Sequence, residues 1–131
     1  MEINEFIDNL KRDKARGDLA PHQIILLLSL HKLYLKNKSY VIEIEDLIDT
    51  FSLIWKEHQY SFKTKNCSVG MPLKVFVNRD YLEVDSKEDI IDFRNKTELK
   101  NKITQIKINP VLLRLFKQPE FPNYIKTRIN I

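Results

Sequence analysis

The stretch that most constrains this chain is IILLLSL, residues 24–30, six aliphatic side chains around one serine. Seven residues are too few to span the apolar thickness of a bilayer, and His31 and Lys32 follow at once, so the run belongs inside a folded protein. A helix that is apolar on nearly every side has no face to offer solvent. The pattern therefore predicts a central helix from Pro21 to Leu35, with other elements wrapped around it. Pro21 sits at the favoured first helical position, with Asp18 or Ala20 just outside.

The rest of the pattern says what does the wrapping. Ile3, Phe6, Ile7 and Leu10 fall at helical spacing and predict a first helix over residues 2–13. KARGD ends it, with Gly17 free to take a positive φ. KSYVIEI is β-branched and alternating, a short strand. Ile44, Leu47, Ile48, Phe51, Ile54 and Trp55 form the inward stripe of another helix, with Phe51 and Trp55 as core. From His58 the segment HQYSFKTKNCSVGMP loses all periodicity and reads as a loop. LKVFV, NRD and YLEV then read as strand, tight turn and strand, a hairpin that Met71-Pro72 opens. TELKNKITQIKI returns to helix, and NPVLLRLFKQ follows with Asn109 as N-cap and Pro110 in the first turn. Pro119 and Pro122 punctuate a last short helical segment.

The expected fold class is α+β, mainly helical: a winged-helix-like core with a β-hairpin and extra C-terminal helices. The 131 residues suit a single domain over 1–131 with one core. Cys67 is the lone cysteine, so no internal disulfide and no cysteine-rich zinc site is expected, and a reducing cytoplasm suits the chain. The amphipathic, acidic MEINEFIDNL is not expected to be a signal peptide.

The net charge of +4 is modest, but the charges are segregated. Between His58 and Arg79 there are four Lys or Arg and no acid, and from Arg94 to Arg128 nine basic residues face Glu98 and Glu120. The acids collect in EIEDLID (43–49) and DYLEVDSKEDIID (80–92). Such segregation fits a surface that meets a polyanion, and it equally fits solvated lysine-rich faces. Tyr60 and Phe62, interleaved with Lys63 and Lys65, either flank a nucleic-acid surface or pack the loop. His31 reads as a helix-surface residue, His58 as a loop end and Cys67 as incidental. His22 is different. A histidine in the first turn of a buried helix either caps and packs or touches a ligand, and the residues alone leave both open.

NLKRDKARGDLAPHQIILLLSLHKL resembles the opening of the sulfur-binding domain found in HNH-type restriction endonucleases that recognise phosphorothioate-modified DNA. That opening has a basic stretch, Ala-Pro-His, a Lys or Arg, and a leucine-rich helix. The similarity continues through EDLIDTFSLIW, GMPLKVFVNRDYLEV and ITQIKINPVLLRLFKQPEFPNYI, so it covers nearly the whole chain. Ala20-Pro21-His22 is its sharpest match.

The resemblance implies a cavity that holds a non-bridging sulfur and its phosphate. Its residues here would be His22, Ser68, Pro72 and, without an aligned motif, Arg94 as a late arginine. Gln23 stands where the family has a basic residue and Met71 where it has an aromatic one. Arg16, Gly70, Lys74 and Arg79 complete the expected DNA and sulfur contacts, and Lys63 and Lys65 the basic surface. A large, polarisable, weakly hydrated sulfur suits the apolar wall that Met71 and Pro72 would supply. The remaining negative charge suits His22, Ser68 and the free amides at the start of the second helix.

The implied function is a DNA-binding module that reads phosphorothioate-modified duplex DNA in bacterial restriction or phage defence. A nuclease or effector encoded nearby would be its partner, and no membrane is expected. The alternatives are a protein-interaction or regulatory domain of a defence system that has lost the sulfur pocket, and a general winged-helix DNA-binding protein. No nuclease domain, catalytic residue, metal or cofactor is expected within 1–131. The residues offer no acid–lysine cluster on a strand, and the chain's two glycines make no phosphate-cradling loop.

Overall fold

In a computed structural model of the chain, which describes residues 3–10, 14–15 and 18–129, the apolar run sits at the centre. The elements are α1 (Ile3–Asp8), β1 (Lys14–Ala15), β2 (Asp18–Leu19), α2 (His22–Asn37), β3 (Val41–Glu43), α3 (Ile44–His58), a 3-10 turn (Gln59–Ser61), α4 (Gly70–Asn78), β4 (Leu82–Ser86), α5 (Lys96–Lys102), β5 (Ile103–Ile108), α6 (Pro110–Phe116) and α7 (Phe121–Lys126). The protein is α+β and mainly helical, with a small antiparallel sheet and two C-terminal helices. Among the described residues no helix is long and apolar enough to cross a membrane.

α2 buries every residue from Gln23 to His31 and also Leu33, because α3, α4 and α7 pack around it. The one serine in the run is satisfied in place, its Oγ donating to the Ile25 carbonyl at 2.7 Å. α1 adds Ile3, Phe6 and Ile7 to the core. The far end of the expected first helix, residues 11–13, lies outside the described residues, as do Arg16 and Gly17.

The sheet places β5 between β3 and β4, antiparallel to both. Ile106 faces Ile42 on one side and Val84 on the other, and Ile108 faces Leu82. Near the start of β5 the register shifts, so that Ser86 pairs with Ile103 while Asp85 pairs with Gln105. Thr104 is the extra residue, its hydroxyl donating to the Asp85 carbonyl at 2.9 Å. An extra residue inverts the alternation, so Ile103 and Ile106, three apart, are both buried.

Three expectations are overturned. LKVFV is not a strand but most of α4, so residues 73–84 form no hairpin. The fully buried Leu73 and Phe76, three apart, mark the helical period, and Pro72 is buried beside them. Proline is tolerated there because a first-turn residue has no intrahelical acceptor for an N–H. The turn survives as a helix-to-strand corner, with Asp80 left-handed at φ 60° and Tyr81 N donating to the Phe76 carbonyl at 2.9 Å. The second correction is ITQIKI, the central strand β5 rather than the end of a helix. Ile103 and Ile106, three apart, fit a helix while Ile106 and Ile108, two apart, fit a strand, and only pairing with β3 and β4 decides. Asn109 is the N-cap of α6 by position, but its side chain donates to the Asp80 carbonyl at 2.7 Å and so ties that helix to the corner.

His31 is also not a surface residue. α6 and α7 fold back over it, with Phe116 and Phe121 ring centroids 5.4 and 4.9 Å from the imidazole.

Candidate functional site

An aromatic stack seats the long loop between α3 and α4. The stripe of α3 brings Phe51 and Trp55 to one side, with ring centroids 6.0 Å apart. Phe62, at the start of the loop, meets the Trp55 ring edge-on at 4.6 Å, and His22 packs 5.0 Å from the same indole. The loop therefore begins anchored in the core while its later residues stay at the surface.

His22 answers the question its position raises. Its Nε2 lies 2.6 Å from the backbone carbonyl of Asn66. A carbonyl only accepts, so Nε2 carries the proton and donates. His22 thus fastens the loop 44 residues away to the start of α2. Beyond that fastening the loop turns tightly, with Cys67 N donating to the Lys65 carbonyl at 3.1 Å and Ser68 N to the Asn66 carbonyl at 3.0 Å.

A hollow of about 260 Å³ opens beside that turn. Ile48, Phe51 and Ser52 of α3 form one wall. Residues 66–71, running from the loop into α4, form a second, and Phe93, Arg94, Lys96 and Leu99 close the third. The walls meet closely because Gly70 has no side chain: a β-carbon there would overlap the Phe93 carbonyl oxygen. Met71 is 44% exposed and supplies a thioether at the mouth. The exposed Arg94 side chain pairs with Asp92 at 3.5 Å. Burial pushes the Cys67 thiol up, against the lowering effect of the Ser52 hydroxyl, Lys96 and Lys56. A thiol held protonated is a poor nucleophile.

Of the sequence-derived candidates, the structure brings Ser68, Gly70, Met71 and Arg94 together around this hollow. His22 does not line it and is tied to its Asn66 wall. Pro72 is buried behind the hollow's rim in α4, and Gln23 is 8% exposed, turned into the protein rather than toward a surface ligand. A charge at position 23 would be buried. Lys63, Lys65 and Lys74 are exposed on the loop and on α4, and Arg79 is half-buried at the C-cap of α4 with its Nη1 enclosed. Arg16 lies outside the described residues.

Sequence reasoning missed Ser52, Asn66, Phe93 and Lys96. Ser52 is a polar residue next to an apolar stripe, and Phe93 and Lys96 follow the acidic run, so nothing local marks them. Asn66 alone carried a signal, as a turn-forming residue among Lys and Ser. Among the described residues no group of three or more His, Cys, Asp or Glu side chains could hold a metal ion. No known protein-family model matches the chain, and no curated protein matches it.

Proposed function

We propose that the chain is a DNA-binding module that reads a phosphorothioate mark on duplex DNA, working in the bacterial cytoplasm in restriction or phage defence. The observation that carries this reading is the hollow at the start of α4, where Ser68, Met71 and Arg94 meet. It combines what such a group needs. Phe51 and the Met71 thioether offer a soft apolar wall to a polarisable sulfur. Arg94, Lys96 and the first-turn amides of α4 offer positive potential to the phosphate charge. Lys63, Lys65 and Lys74, exposed nearby in sequence, suit neighbouring phosphates. With Gln23 buried, the phosphate-facing charge falls to Arg94 and Lys96.

The order of elements supports a winged-helix reading of the core. β3 lies between α2 and α3, α4 comes next, and the last strand, β5, is central between β3 and β4. In that arrangement α4 is the helix presented to DNA, and its Met71, Lys74 and Asn78 are exposed at helical spacing.

The test is a fluorescence-anisotropy titration of two duplexes of identical sequence, with and without a phosphorothioate linkage. Tighter binding to the modified duplex supports the proposal. Equal binding overturns the mark, and binding to neither overturns DNA recognition.

A further inference from the structure

Away from the hollow, two neighbouring depressions of about 280 and 310 Å³ share His31, Leu35 and Pro122 and form one groove. Its floor is apolar, built from Leu28, Leu35, Ile54 and Pro122. Leu35 is 56% exposed within it. The rim is basic, with Lys32, Lys126 and Lys117 against a single acid, Glu57. None of these three lysines forms an ion pair among the described residues.

The same chain presents an exposed apolar side chain among acids elsewhere. Between β4 and α5 the loop KEDIID, residues 87–92, carries Ile91 at 87% exposure between Glu88, Asp89 and Asp92. Side chains of α5 hold the loop backbone around this isoleucine. Glu98 accepts from Ile91 N at 2.6 Å and from Asp92 N at 3.3 Å. Lys102 Nζ donates to Glu98 at 2.8 Å and to the Asp89 carbonyl at 3.1 Å. A loop held in this way loses little conformational entropy on docking. Asp92 already pairs with Arg94, which leaves Glu88 and Asp89 to face a basic partner. No residue of the loop lines the groove.

We propose that the groove is a docking site for a second copy of this chain, which inserts Ile91 over Leu35 and Pro122 and sets Glu88 and Asp89 against Lys32, Lys117 and Lys126. The contact is heterologous, loop to groove, so it propagates head to tail rather than closing on itself as a symmetric dimer would. One loop in one groove is a small interface, so the association is weak and concentration-dependent. Adjacent copies bound to one DNA would meet at high effective concentration. The inference does not depend on which DNA mark is read.

Sedimentation velocity over a concentration series at low salt tests it without DNA. The wild type is expected to gain mass with concentration and to lose that gain at high salt. Ile91→Asp and Leu35→Glu should each weaken association by about tenfold or more, with an unchanged melting temperature because both side chains are exposed. The decisive sample is the equimolar mixture. Ile91→Asp keeps the groove and Leu35→Glu keeps the loop, so together they should form a one-to-one dimer that grows no further. A wild type that stays monomeric overturns the proposal, leaving the groove to a different partner. Variants that still self-associate, or a mixture that does not pair, overturn it as well.

Discussion

Gly70 and Phe93 approach so closely that a β-carbon on the glycine would occupy the space of the phenylalanine's carbonyl oxygen. That approach brings the acidic loop against the start of α4 and closes the hollow in which Ser68, Met71 and Arg94 meet. Gly70→Ala must push residues 93 and 94 away. The expected cost is about 1–3 kcal/mol of stability by chemical denaturation, together with weaker discrimination between marked and unmarked DNA. An unperturbed alanine variant would show that the two walls are not held in contact.

His22→Ala and Ser68→Ala should separate fastening from binding. Removing His22 takes one of two donors from the Asn66 carbonyl, leaving Ser68 N, and strips a ring from Trp55. Amides of the 63–69 loop should then exchange faster, with stability lowered by about 0.5–1.5 kcal/mol. Ser68 lines the hollow and makes no side-chain hydrogen bond that the fold depends on, so its loss should weaken DNA binding and leave stability unchanged. Hydrogen exchange and calorimetry read the two effects apart.

Exposed lysines should act on charge alone. Lys65→Ala and Lys74→Ala are expected to weaken marked and unmarked duplexes equally, because phosphate contacts carry no information about the mark. Both should also flatten the dependence of affinity on salt. A lysine variant that changes the ratio of the two affinities would place that side chain in the hollow instead.

His31 makes stability depend on pH in the mildly acidic range. Burial pushes its imidazole down, against the raising effect of a hydrogen bond to the Phe116 backbone, and His58 is lowered for the same main reason. The unfolded chain therefore takes up a proton near pH 6.5 while the folded chain resists. Stability is full above about pH 6.5 and falls as the pH drops toward the lower folded-state value. His31→Phe should reduce the slope of melting temperature against pH in this window, leaving the part due to His58. An unchanged slope would assign the effect to another group.

Recognition without cleavage is the last expectation. Marked and plain plasmids incubated with the purified protein and Mg²⁺ or Mn²⁺ should remain intact on a gel. Metal-dependent cutting that tracks the protein through purification would replace the binding module with an enzyme.

What the sequence determined by itself is what local periodicity and burial can encode. IILLLSL has no polar face, so a central α2 and a shell of helices around it follow from the residues alone. The same holds for the stripe of α3, with Phe51 and Trp55 buried as expected, and for Asn109-Pro110 at the start of α6. Tertiary structure decided wherever a segment fits two periods. LKVFV has the composition of a strand, and it is a helix because Leu73 and Phe76 find a core on one side. ITQIKI could continue a helix, and it is a strand because β3 and β4 supply hydrogen bonds on both edges. The hollow was legible only at Ser68, Gly70, Met71 and Arg94. Phe93 and Lys96 join it through a contact between segments more than twenty residues apart, made by a missing side chain at Gly70, and Ser52 joins it from α3. His22 stands out in the sequence by its position at the start of α2. Its partner, the Asn66 carbonyl, is a backbone atom that no residue identity announces.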